Sequence, residues 1–344
     1  MIPALAIGRE LRDKHGAEVR FVGTARGIET RLVPEAGFTL ELVRSGQLKN
    51  VSLMTRLRTM VDLPVGVLHC VRLLREFKPQ VVVGVGGYAS GPAMMAAVLL
   101  RVPTLAYEPN AVPGLTNRLV GKRVSAAAVN FAQTTQYFHN AEVTGVPVRP
   151  EIFALPPRPA GAAPRLLVTA GSNGALIFNE TLPKIVAQLL NEVPGLTIVH
   201  QSGARRLEET RAAFAASGAD AARWSVEAFL TDMPAQYAAA DLVLARAGST
   251  IAELCAAAKP SLLVPLATAA DDHQRKNAEV LAEAGAAVML LQKDVTPESL
   301  QSALMALLND EPRRVAMAER AKSLAKPDAL QAIGKMVLEI AGRV

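Results

Sequence analysis

Three glycine-containing loops are the first stretches of this sequence whose residue types and spacing could do chemistry. GVGGYASGP at 84–92, TAGSNGA at 169–175 and RAGSTIAEL at 246–254 each follow a short apolar run that has the character of a buried strand. Glycine lets backbone amides come close to an anion, and the start of a helix adds a partial positive charge. Each loop taken singly is also a common structural turn, and Ser172 and Ser249 suit helix caps. The loops therefore indicate phosphate binding and leave a structural role open.

Polar side chains collect after the next strand, in the segment ATAADDHQRKNA at 267–278. This segment and the third loop follow neighbouring strands, so their side chains can belong to one site. The Glu253 carboxylate only accepts hydrogen bonds and matches the two donors of a ribose diol, whereas Gln274 both donates and accepts, which suits a sugar's hydroxyls. His273 is either a ligand contact or a surface histidine. The segment also has a plainer interpretation, as a solvated helix start capped by an aspartate.

Several classes of function are disfavoured. The first two loops lack the full G-x-G-x-x-G pattern, and no acidic residue stands at the usual distance for a dinucleotide ribose, which counts against a nicotinamide enzyme. The sequence has no zinc-ligand spacing and none of the nucleic-acid motifs. Cys70 and Cys255 lie far apart inside apolar segments and are predicted to be buried free thiols of a reducing compartment. The net charge of +6 favours acidic partners such as nucleotide phosphates, anionic lipid head groups or nucleic acid.

Apolar runs that alternate with helical patterns must position these loops. The predicted strands lie at 18–24, 79–85, 102–108, 125–131 and 141–146, and then at 165–171, 196–203, 224–230, 240–246, 260–266 and 286–291. Continuous apolar strands separated by helices predict buried parallel sheets. The opening MIPALAIGREL carries apolar residues at helical spacing, so a helix is predicted from the first residues. The predicted fold class is therefore α/β, with two Rossmann-like doubly wound domains facing a cleft.

The domain boundaries follow from a proline-rich stretch between the two series. We predict a first domain at 1–147, a linker at 148–164, a second domain at 165–326 and a C-terminal helix at 327–344 whose return to the first domain the sequence leaves open. Ligands of such sheets bind beyond the carboxyl ends of the strands, so the cleft is the predicted site. The longest apolar runs are too short to span a bilayer, and the start carries no secretory signal.

Taken in order, these motifs closely resemble the MurG family, the UDP-N-acetylglucosamine:undecaprenyl-diphospho-muramoyl-pentapeptide N-acetylglucosaminyltransferases of peptidoglycan synthesis. The resemblance covers nearly the whole chain. It is carried by PALAIGREL, GTARGIETRLVPEAG, VVGVGGYASGPAMMAA, YEPNAVPGLTNR, GVPVRPEI, AGSNGA, HQSG, RAGSTIAEL and DDHQRKNA. It implies the GT-B fold, in which two Rossmann-like domains flank a deep cleft.

The resemblance also implies roles for individual residues. The donor-binding residues that it implies are Asn110, Arg149, Ser172, Leu230, Ser249, Thr250, Glu253, His273 and Gln274. The acceptor-binding residues that it implies are Gly86, Gly87, Tyr88 and Glu108. Arg149 and Ser172 would hold the donor diphosphate, the Leu230 backbone would lie against the uracil, and Asn110 would reach the donor sugar from the first domain.

Two departures from the family pattern are visible. The family segment from RAG to the glutamate is usually one residue longer, which affects the alignment of Ser249 and Thr250. Family members also begin with a strand and a G-G-T-G-G-H loop before the first helix, whereas the sequence given starts at Met1. The histidine of that loop is the family's candidate general base, so no catalytic base is assigned. We expect this chain to bind donor weakly and turn over poorly, and the gene to start upstream.

The implied reaction inverts the α-linked sugar of UDP-N-acetylglucosamine as the 4-hydroxyl of the lipid-linked muramoyl sugar attacks, giving a β-1,4 bond. It implies no metal and no cofactor beyond the donor. It implies lipid I, an anionic membrane surface and cell-wall synthesis and division proteins as partners, at the cytoplasmic face of the bacterial inner membrane. The alternatives are another UDP-sugar enzyme of this fold, such as a lipid glucosyltransferase or an epimerase, and a donor-binding remnant with little activity.

Membrane contact is expected from the segment 51–78, which mixes Leu, Met and Val with basic residues. Its cations are Arg56, Arg58, Arg72, Arg75 and Lys78. A basic amphipathic face of this kind can lie on anionic lipid. An ordinary pair of core-packed helices with a solvated side explains the same pattern.

Overall fold

A computed structural model of the chain describes residues 1–25, 27–43, 53–156, 158–159 and 161–342, with the side chains of 53–61 and 88 outside this description. The chain forms two compact units. The first unit comprises Met1–Pro147 and Asp328–Val344, and the second comprises Val148–Pro327.

The first unit is built from parallel strands and helices that alternate along the chain. Its helices up to Pro147 are α1 (Ile2–His15), α2 (Glu29–Glu35), α3 (Leu53–Phe77), α4 (Gly87–Leu100) and α5 (Leu115–Val120). Its strands are β1 (Arg20–Gly23), β2 (Thr39–Leu42), β3 (Val82–Gly84), β4 (Thr104–Glu108), β5 (Ala126–Val129) and β6 (Ala141–Val143). β1 pairs with β2, and the other strands form a parallel sheet in the order β3-β4-β5-β6.

The second unit repeats this alternation. Its helices are α6 (Pro150–Phe153), α7 (Leu176–Thr181), α8 (Val186–Glu192), α9 (Leu207–Ala216), α10 (Met233–Ala239), α11 (Thr250–Ala256), α12 (His273–Glu283), α13 (Pro297–Leu308) and α14 (Glu311–Leu324). Its strands are β7 (Arg165–Thr169), β8 (Thr197–Gln201), β9 (Trp224–Glu227), β10 (Leu242–Ala245), β11 (Ser261–Leu263) and β12 (Ala287–Met289). Short 3-10 turns lie at Ala132–Tyr137 in the first unit and at Leu182–Lys184, Ala204–Arg206, Ala221–Arg223, Ala270–Asp272 and Gln292–Asp294 in the second.

The sheet of the second unit is parallel, in the order β12-β11-β10-β7-β8-β9. The chain therefore runs outward from β7 on one side and outward from β10 on the other, so the order reverses between these two strands. Leu166 of β7 and Leu244 of β10 share a buried apolar cluster with Phe178, Phe214 and Leu304 from the covering helices. Parallel strands need helices on both faces, which explains their nearly continuous apolar sequences.

The last helix, α15 (Ala329–Ala341), belongs to the first unit. Ile333 and Val337 of α15 share a buried cluster with Ile7 and Leu11 of α1 and with Leu105 of β4. The first and last helices of the chain therefore cover one face of the same sheet.

The predicted α/β alternation is confirmed, since each predicted strand range contains an observed strand and α1 begins at Ile2. β2 was not predicted, because its sequence TLEL is short and its residues are all at least partly exposed. Cys70 and Cys255 are free and buried, as predicted, and burial raises the pKa of these thiols to about 11 and about 12.

Candidate functional site

The reversal of strand order in the second unit places two of the predicted loops side by side. The loop with Ser172 follows β7, and the loop with Ser249 follows β10, which pairs with β7. A ligand of a doubly wound sheet binds where the strand order reverses, beyond the carboxyl ends. Ser172 lies in an exposed turn, and Ser249 precedes α11 without a capping hydrogen bond from its side chain among the described residues. The geometry therefore favours this edge of the sheet as the ligand site.

Close backbone packing fixes the Ser172 loop against the loop that follows β8. Gly174 has φ +66°, and a Cβ there would lie 1.9 Å from the carbonyl oxygen of Ser202. Gly203 has φ +82°, and a Cβ there would lie 2.3 Å from the carbonyl oxygen of Asn173. Both positions therefore require glycine, because side chains disfavour positive φ and the facing backbone leaves no space.

Buried hydrogen bonds between polar groups also hold the loop that follows β8 in place. His200 Nε2 lies 2.7 Å from Asn179 Oδ1, and Asn179 Nδ2 donates to the carbonyl of Ser202 at 3.0 Å. His200 is fully buried, and burial lowers its pKa to about 3. The imidazole is therefore neutral at physiological pH, and its Nε2–H donates to Asn179. His200 is the histidine of the HQSG motif, and its role in holding this loop was not predicted from the sequence.

Glu253 lies in α11, close to the Ser249 loop, and two side chains face its carboxylate. The Tyr237 hydroxyl donates to Oε2 at 3.0 Å, and Arg149 Nη2 lies 3.7 Å from Oε1. The Glu253 side chain is 31% exposed. A carboxylate with an exposed edge and one firmly held oxygen can still accept hydrogen bonds from a ligand.

Arg149 reaches Glu253 because the segment before β7 packs against helices of the same unit. Arg149 stands at the N-cap position of α6, whose Ile152 is fully buried, and α6 contacts both α10 and α11. Farther along, Arg158 forms an ion pair with Asp241 at 2.8 Å. These contacts fix the backbone on which Arg149 stands.

The polar segment after β11 joins the same edge. Gln274 Oε1 accepts a hydrogen bond from the Leu266 amide at 3.0 Å, and its Nε2 lies 3.8 Å from where a Cβ on Gly248 would stand. Asn277, which is buried, donates to the carbonyl of Ala247 at 3.0 Å. The third loop and the polar segment are therefore bound together, as the adjacency of their strands predicted.

His273 is the first residue of α12, and its Nδ1 lies 2.6 Å from the carbonyl oxygen of Ala270. Asp271 and Asp272 before it both have φ +55°. Asp272 stands at the N-cap position, and among the described residues its side chain makes no capping hydrogen bond. Left-handed backbone at two successive non-glycine residues is strained, and such strain clusters at ligand sites.

Arg246 is a partly buried cation at this edge that the sequence reasoning missed. It follows β10, its Nη1 donates to the carbonyl of Val264 at 2.9 Å, and its guanidinium lies 5.3 Å from the centroid of the Phe178 ring. Burial lowers its pKa to about 10, so the side chain remains charged at neutral pH. The only visible signal was its place at the start of the third loop, two residues before Gly248.

The predicted base contact, Leu230, lies in the loop that follows β9. Leu230 is buried, whereas the preceding Phe229 is 58% exposed. An exposed aromatic ring beside a backbone segment is suited to stacking on a nucleobase. The aromatic residue was not predicted.

The first unit holds a second carboxylate, Glu108, which ends β4 and is 3% exposed. Its Oε1 accepts hydrogen bonds from the amide and the side chain of Asn110, at 3.0 and 2.9 Å. Its Oε2 accepts from the Gly114 amide and from Asn117 Nδ2, both at 3.0 Å. Glu108 therefore organises the loop between β4 and α5.

The predicted acceptor glycines lie at the start of α4 in the same unit. Gly86 and Gly87 have φ values of +79° and +76°, which favour glycine. Tyr88 lies in the first turn of α4, and its side chain is outside the described residues.

The predicted site residues thus fall into two sets. Those in the second unit are Arg149, Ser172, Leu230, Ser249, Thr250, Glu253, His273 and Gln274, and those in the first unit are Gly86, Gly87, Tyr88, Glu108 and Asn110. Functional candidates that the sequence did not indicate are Tyr237, His200, Asn179, Arg246 and Phe229.

Comparison with known proteins agrees with both halves of the fold. Residues 1–129 match the glycosyltransferase family 28 N-terminal domain, and residues 165–333 match the glycosyltransferase family 28 C-terminal domain. The chain is 41% identical to a UDP-N-acetylglucosamine--N-acetylmuramyl-(pentapeptide) pyrophosphoryl-undecaprenol N-acetylglucosamine transferase of Solibacter usitatus, over 99% of this chain and 93% of the relative. The enzyme of the same name from Anaeromyxobacter dehalogenans strain 2CP-C is also 41% identical, over 100% of this chain and 90% of the relative.

Solved structures give the same result. A crystal structure of Acinetobacter baumannii MurG superposes with a TM-score of 0.84 at 32% identity, covering 98% of this chain and 95% of that one. A UDP-GlcNAc 2-epimerase from Neisseria meningitidis has a TM-score of 0.67 at 12% identity, covers 98% and 96% of the two chains, and shows likeness of fold alone. The two-domain GT-B fold is thereby confirmed, and this chain belongs to the MurG family of glycosyltransferases.

Proposed function

We propose that this chain transfers N-acetylglucosamine from UDP-N-acetylglucosamine to the 4-hydroxyl of a lipid-linked muramoyl-pentapeptide in peptidoglycan synthesis. The proposal is supported by membership of the MurG family and by the names of relatives that are 41% identical over nearly the full chain. The observation that carries it is the partly exposed Glu253 carboxylate at the point where the strand order reverses.

Each part of the donor has a candidate partner in the second unit. Glu253 accepts hydrogen bonds from the ribose diol, because a carboxylate matches two hydroxyl donors. Ser172 and the amides of its loop bind the diphosphate, joined by Ser249 and Thr250. Gln274 contacts the sugar.

Two further contacts complete the proposed donor site. The Leu230 backbone lies against the uracil, with the exposed ring of Phe229 beside it, and His273 contacts the sugar next to Gln274. Asn110 reaches the sugar from the first unit. The negative charge that develops on the leaving diphosphate is stabilised by the guanidinium groups of Arg246 and Arg149, so no cofactor beyond the donor is required.

The first unit binds the acceptor in this proposal. Gly86 and Gly87 present backbone amides to the acceptor diphosphate, and Tyr88 frames it. Glu108 holds the Asn110 loop in place through its hydrogen bonds. We assign no general base from the described residues.

Peripheral binding at the cytoplasmic face of the inner membrane is part of the proposal, because the acceptor is a polyprenyl lipid. None of the described helices is both long and apolar enough to cross a membrane. On α3, Val65 and Leu68 are 43% and 69% exposed, and the exposed Arg72 and Arg75 follow. Apolar and basic side chains together suit an anionic lipid surface, where cell-wall synthesis and division proteins would be partners. Arg56 and Arg58 lie outside the described side chains.

Vesicle sedimentation tests the membrane contact. Each basic residue near an anionic surface contributes about 1 kcal/mol, so the double variant Arg72→Glu, Arg75→Glu should weaken binding to phosphatidylglycerol vesicles at least about tenfold. Reversal of the exposed Arg313 and Arg320 on α14 is the matched control and should have little effect. Equal sedimentation of both double variants would remove α3 from the membrane-binding surface.

A transfer assay tests the activity itself. Calorimetry should detect binding of UDP-N-acetylglucosamine, and labelled sugar should appear in the lipid product only when the lipid acceptor is present. Release or epimerisation of the sugar without acceptor would instead support another UDP-sugar enzyme. Binding without any transfer would support a donor-binding remnant.

A further inference from the structure

The Glu253 carboxylate is held asymmetrically, and this asymmetry points to a further residue of the site. On one side the Tyr237 hydroxyl donates to Oε2 at 3.0 Å. On the other side Arg149 Nη2 stands 3.7 Å from Oε1, which is too far for a hydrogen bond. One oxygen is therefore fixed by a neutral donor, while the other faces a half-exposed guanidinium.

Tyr237 is itself rigidly placed. It is fully buried in α10, and the first turn of this helix is capped by Asp232, whose Oδ1 accepts from the Ala235 amide at 3.0 Å. The neighbouring Gln236 accepts a hydrogen bond from Arg165 of β7 at 2.8 Å, which ties α10 to the sheet. The Tyr237 hydroxyl therefore has a fixed position, and its hydrogen bond fixes the orientation of the Glu253 carboxylate.

The chemistry of the phenol suits this task. Burial and the nearby Glu253 charge raise the pKa of Tyr237 well above 10, so the hydroxyl stays protonated and donates at every physiological pH. A carboxylate oxygen has two lone pairs, so Oε2 keeps one after the bond from Tyr237 and Oε1 keeps its own. A fixed carboxylate plane with acceptor capacity on both oxygens matches the two hydroxyls of a ribose.

We propose that Tyr237 is a positioning residue that orients Glu253 toward the 2′- and 3′-hydroxyls of the nucleotide and so gives the site its preference for ribonucleotides. This inference rests on the proposed function, because it takes Glu253 as the ribose contact. Without the phenol the carboxylate rotates toward Arg149 or toward water, and the two hydroxyls lose their matched acceptors. The base, diphosphate and sugar contacts remain.

Calorimetry with UDP and 2′-deoxy-UDP tests the proposal. A hydrogen bond to a charged group is strong, so the wild-type chain should bind UDP at least about tenfold more tightly than 2′-deoxy-UDP. In Tyr237→Phe this preference should fall to about threefold or less, through weaker UDP binding and nearly unchanged 2′-deoxy-UDP binding. A merely structural role would weaken both ligands equally, and that result would overturn the proposal.

Two further variants separate the possible failures. Tyr107→Phe is the matched control, because Tyr107 is also buried but its hydroxyl has no hydrogen-bond partner among the described residues, so the preference should not change. Glu253→Gln should reduce the preference at least as much as Tyr237→Phe. An unchanged preference in Glu253→Gln, or no UDP binding by the wild type, would refute the ribose role of Glu253. If the preference for UDP over 2′-deoxy-UDP falls in Glu253→Gln but is unchanged in Tyr237→Phe, only the role of Tyr237 is refuted. Fluorescence of Trp224, the one tryptophan of the sequence, checks that the second unit is folded.

Discussion

Glu108 and Glu253 are two glutamates near the carboxyl ends of parallel strands, one in each unit, yet the protein treats them differently. Glu108 is 3% exposed and accepts four hydrogen bonds from Asn110, Gly114 and Asn117. The Glu253 side chain is 31% exposed, accepts one hydrogen bond from Tyr237 and faces Arg149 at 3.7 Å.

The difference separates a carboxylate that builds a loop from one that is free to bind a ligand. The four acceptor positions of a carboxylate are all engaged at Glu108, so its removal should damage the fold around it. At Glu253 acceptor capacity remains and solvent reaches the group, so its removal should chiefly damage ligand binding. The role of Glu108 in acceptor binding stays a prediction, and the support for it is the loop that Glu108 organises.

The largest expected effect is that of Glu108→Ala. A hydrogen bond contributes about 1 kcal/mol to stability, so the loss of the four bonds to this buried carboxylate should cost the first unit about 3–5 kcal/mol. Hydrogen exchange should accelerate at the amides of Asn110 and Gly114, which donate to the carboxylate. UDP binding by the second unit should change little. Unchanged exchange at both amides would show that Glu108 does not hold this loop.

Gly174→Ala comes next. The new methyl group would meet the Ser202 carbonyl, where an ideal Cβ lies 1.9 Å away, and φ is +66°. Strain of this kind costs on the order of 1–3 kcal/mol, and relief of the clash would displace the Ser172 loop, so UDP affinity should fall as well. Gly171→Ala is the matched control, since φ is +73° there and the structure places no described atom within 4 Å of the new Cβ. If both variants lose the same stability and UDP affinity, the positive φ alone explains the effect, and the close packing of the two loops does not contribute.

Glu253→Ala should reduce UDP affinity at least about tenfold, which corresponds to about 1.4 kcal/mol, while the free energy of unfolding changes by less. Because the carboxylate is partly solvated, removing it and its hydrogen bond with Tyr237 should change the stability of the fold only slightly. Glu209→Ala in α9 is a suitable control, because that side chain is 67% exposed and forms its one ion pair within the described part of the chain with the neighbouring Arg206. Calorimetry measures the UDP affinities of both variants. If Glu253→Ala binds UDP as tightly as the wild type does, Glu253 does not contact the ribose.

The sequence was sufficient for the parallel strands other than β2 and for the loops that follow them, because apolar runs and glycine turns are local signals. Glu253 and Gln274 were predicted as ligand contacts in this way, and that role remains a prediction. Tyr237 was not, since a tyrosine in an apolar helix has an equally good explanation as a core residue, and its contact with Glu253 spans 16 positions in the chain. His200 and Asn179 are likewise 21 positions apart. Such partnerships depend on how helices dock on the sheet, which no local pattern encodes.

The smallest expected effect concerns His200 in the second unit. Like Glu108 in the first unit, it is buried and hydrogen-bonded to a buried polar side chain, that of Asn179. Its pKa is lowered to about 3 by burial, whereas an unfolded histidine has a pKa of about 6.5. Below pH 6.5 the unfolded chain therefore binds a proton that the folded chain excludes, and stability falls with pH until about pH 3. The expected loss from this residue is about 1 kcal/mol between pH 6.5 and pH 5.5, because half of the unfolded chains already carry the proton at pH 6.5. Denaturation followed by Trp224 fluorescence measures it, because that ring packs on Phe214, which packs on His200. His200→Gln should be less stable at pH 7.5 but should show a correspondingly weaker pH dependence. If the pH dependence of the wild type and the variant is the same, the buried imidazole is not the group that titrates.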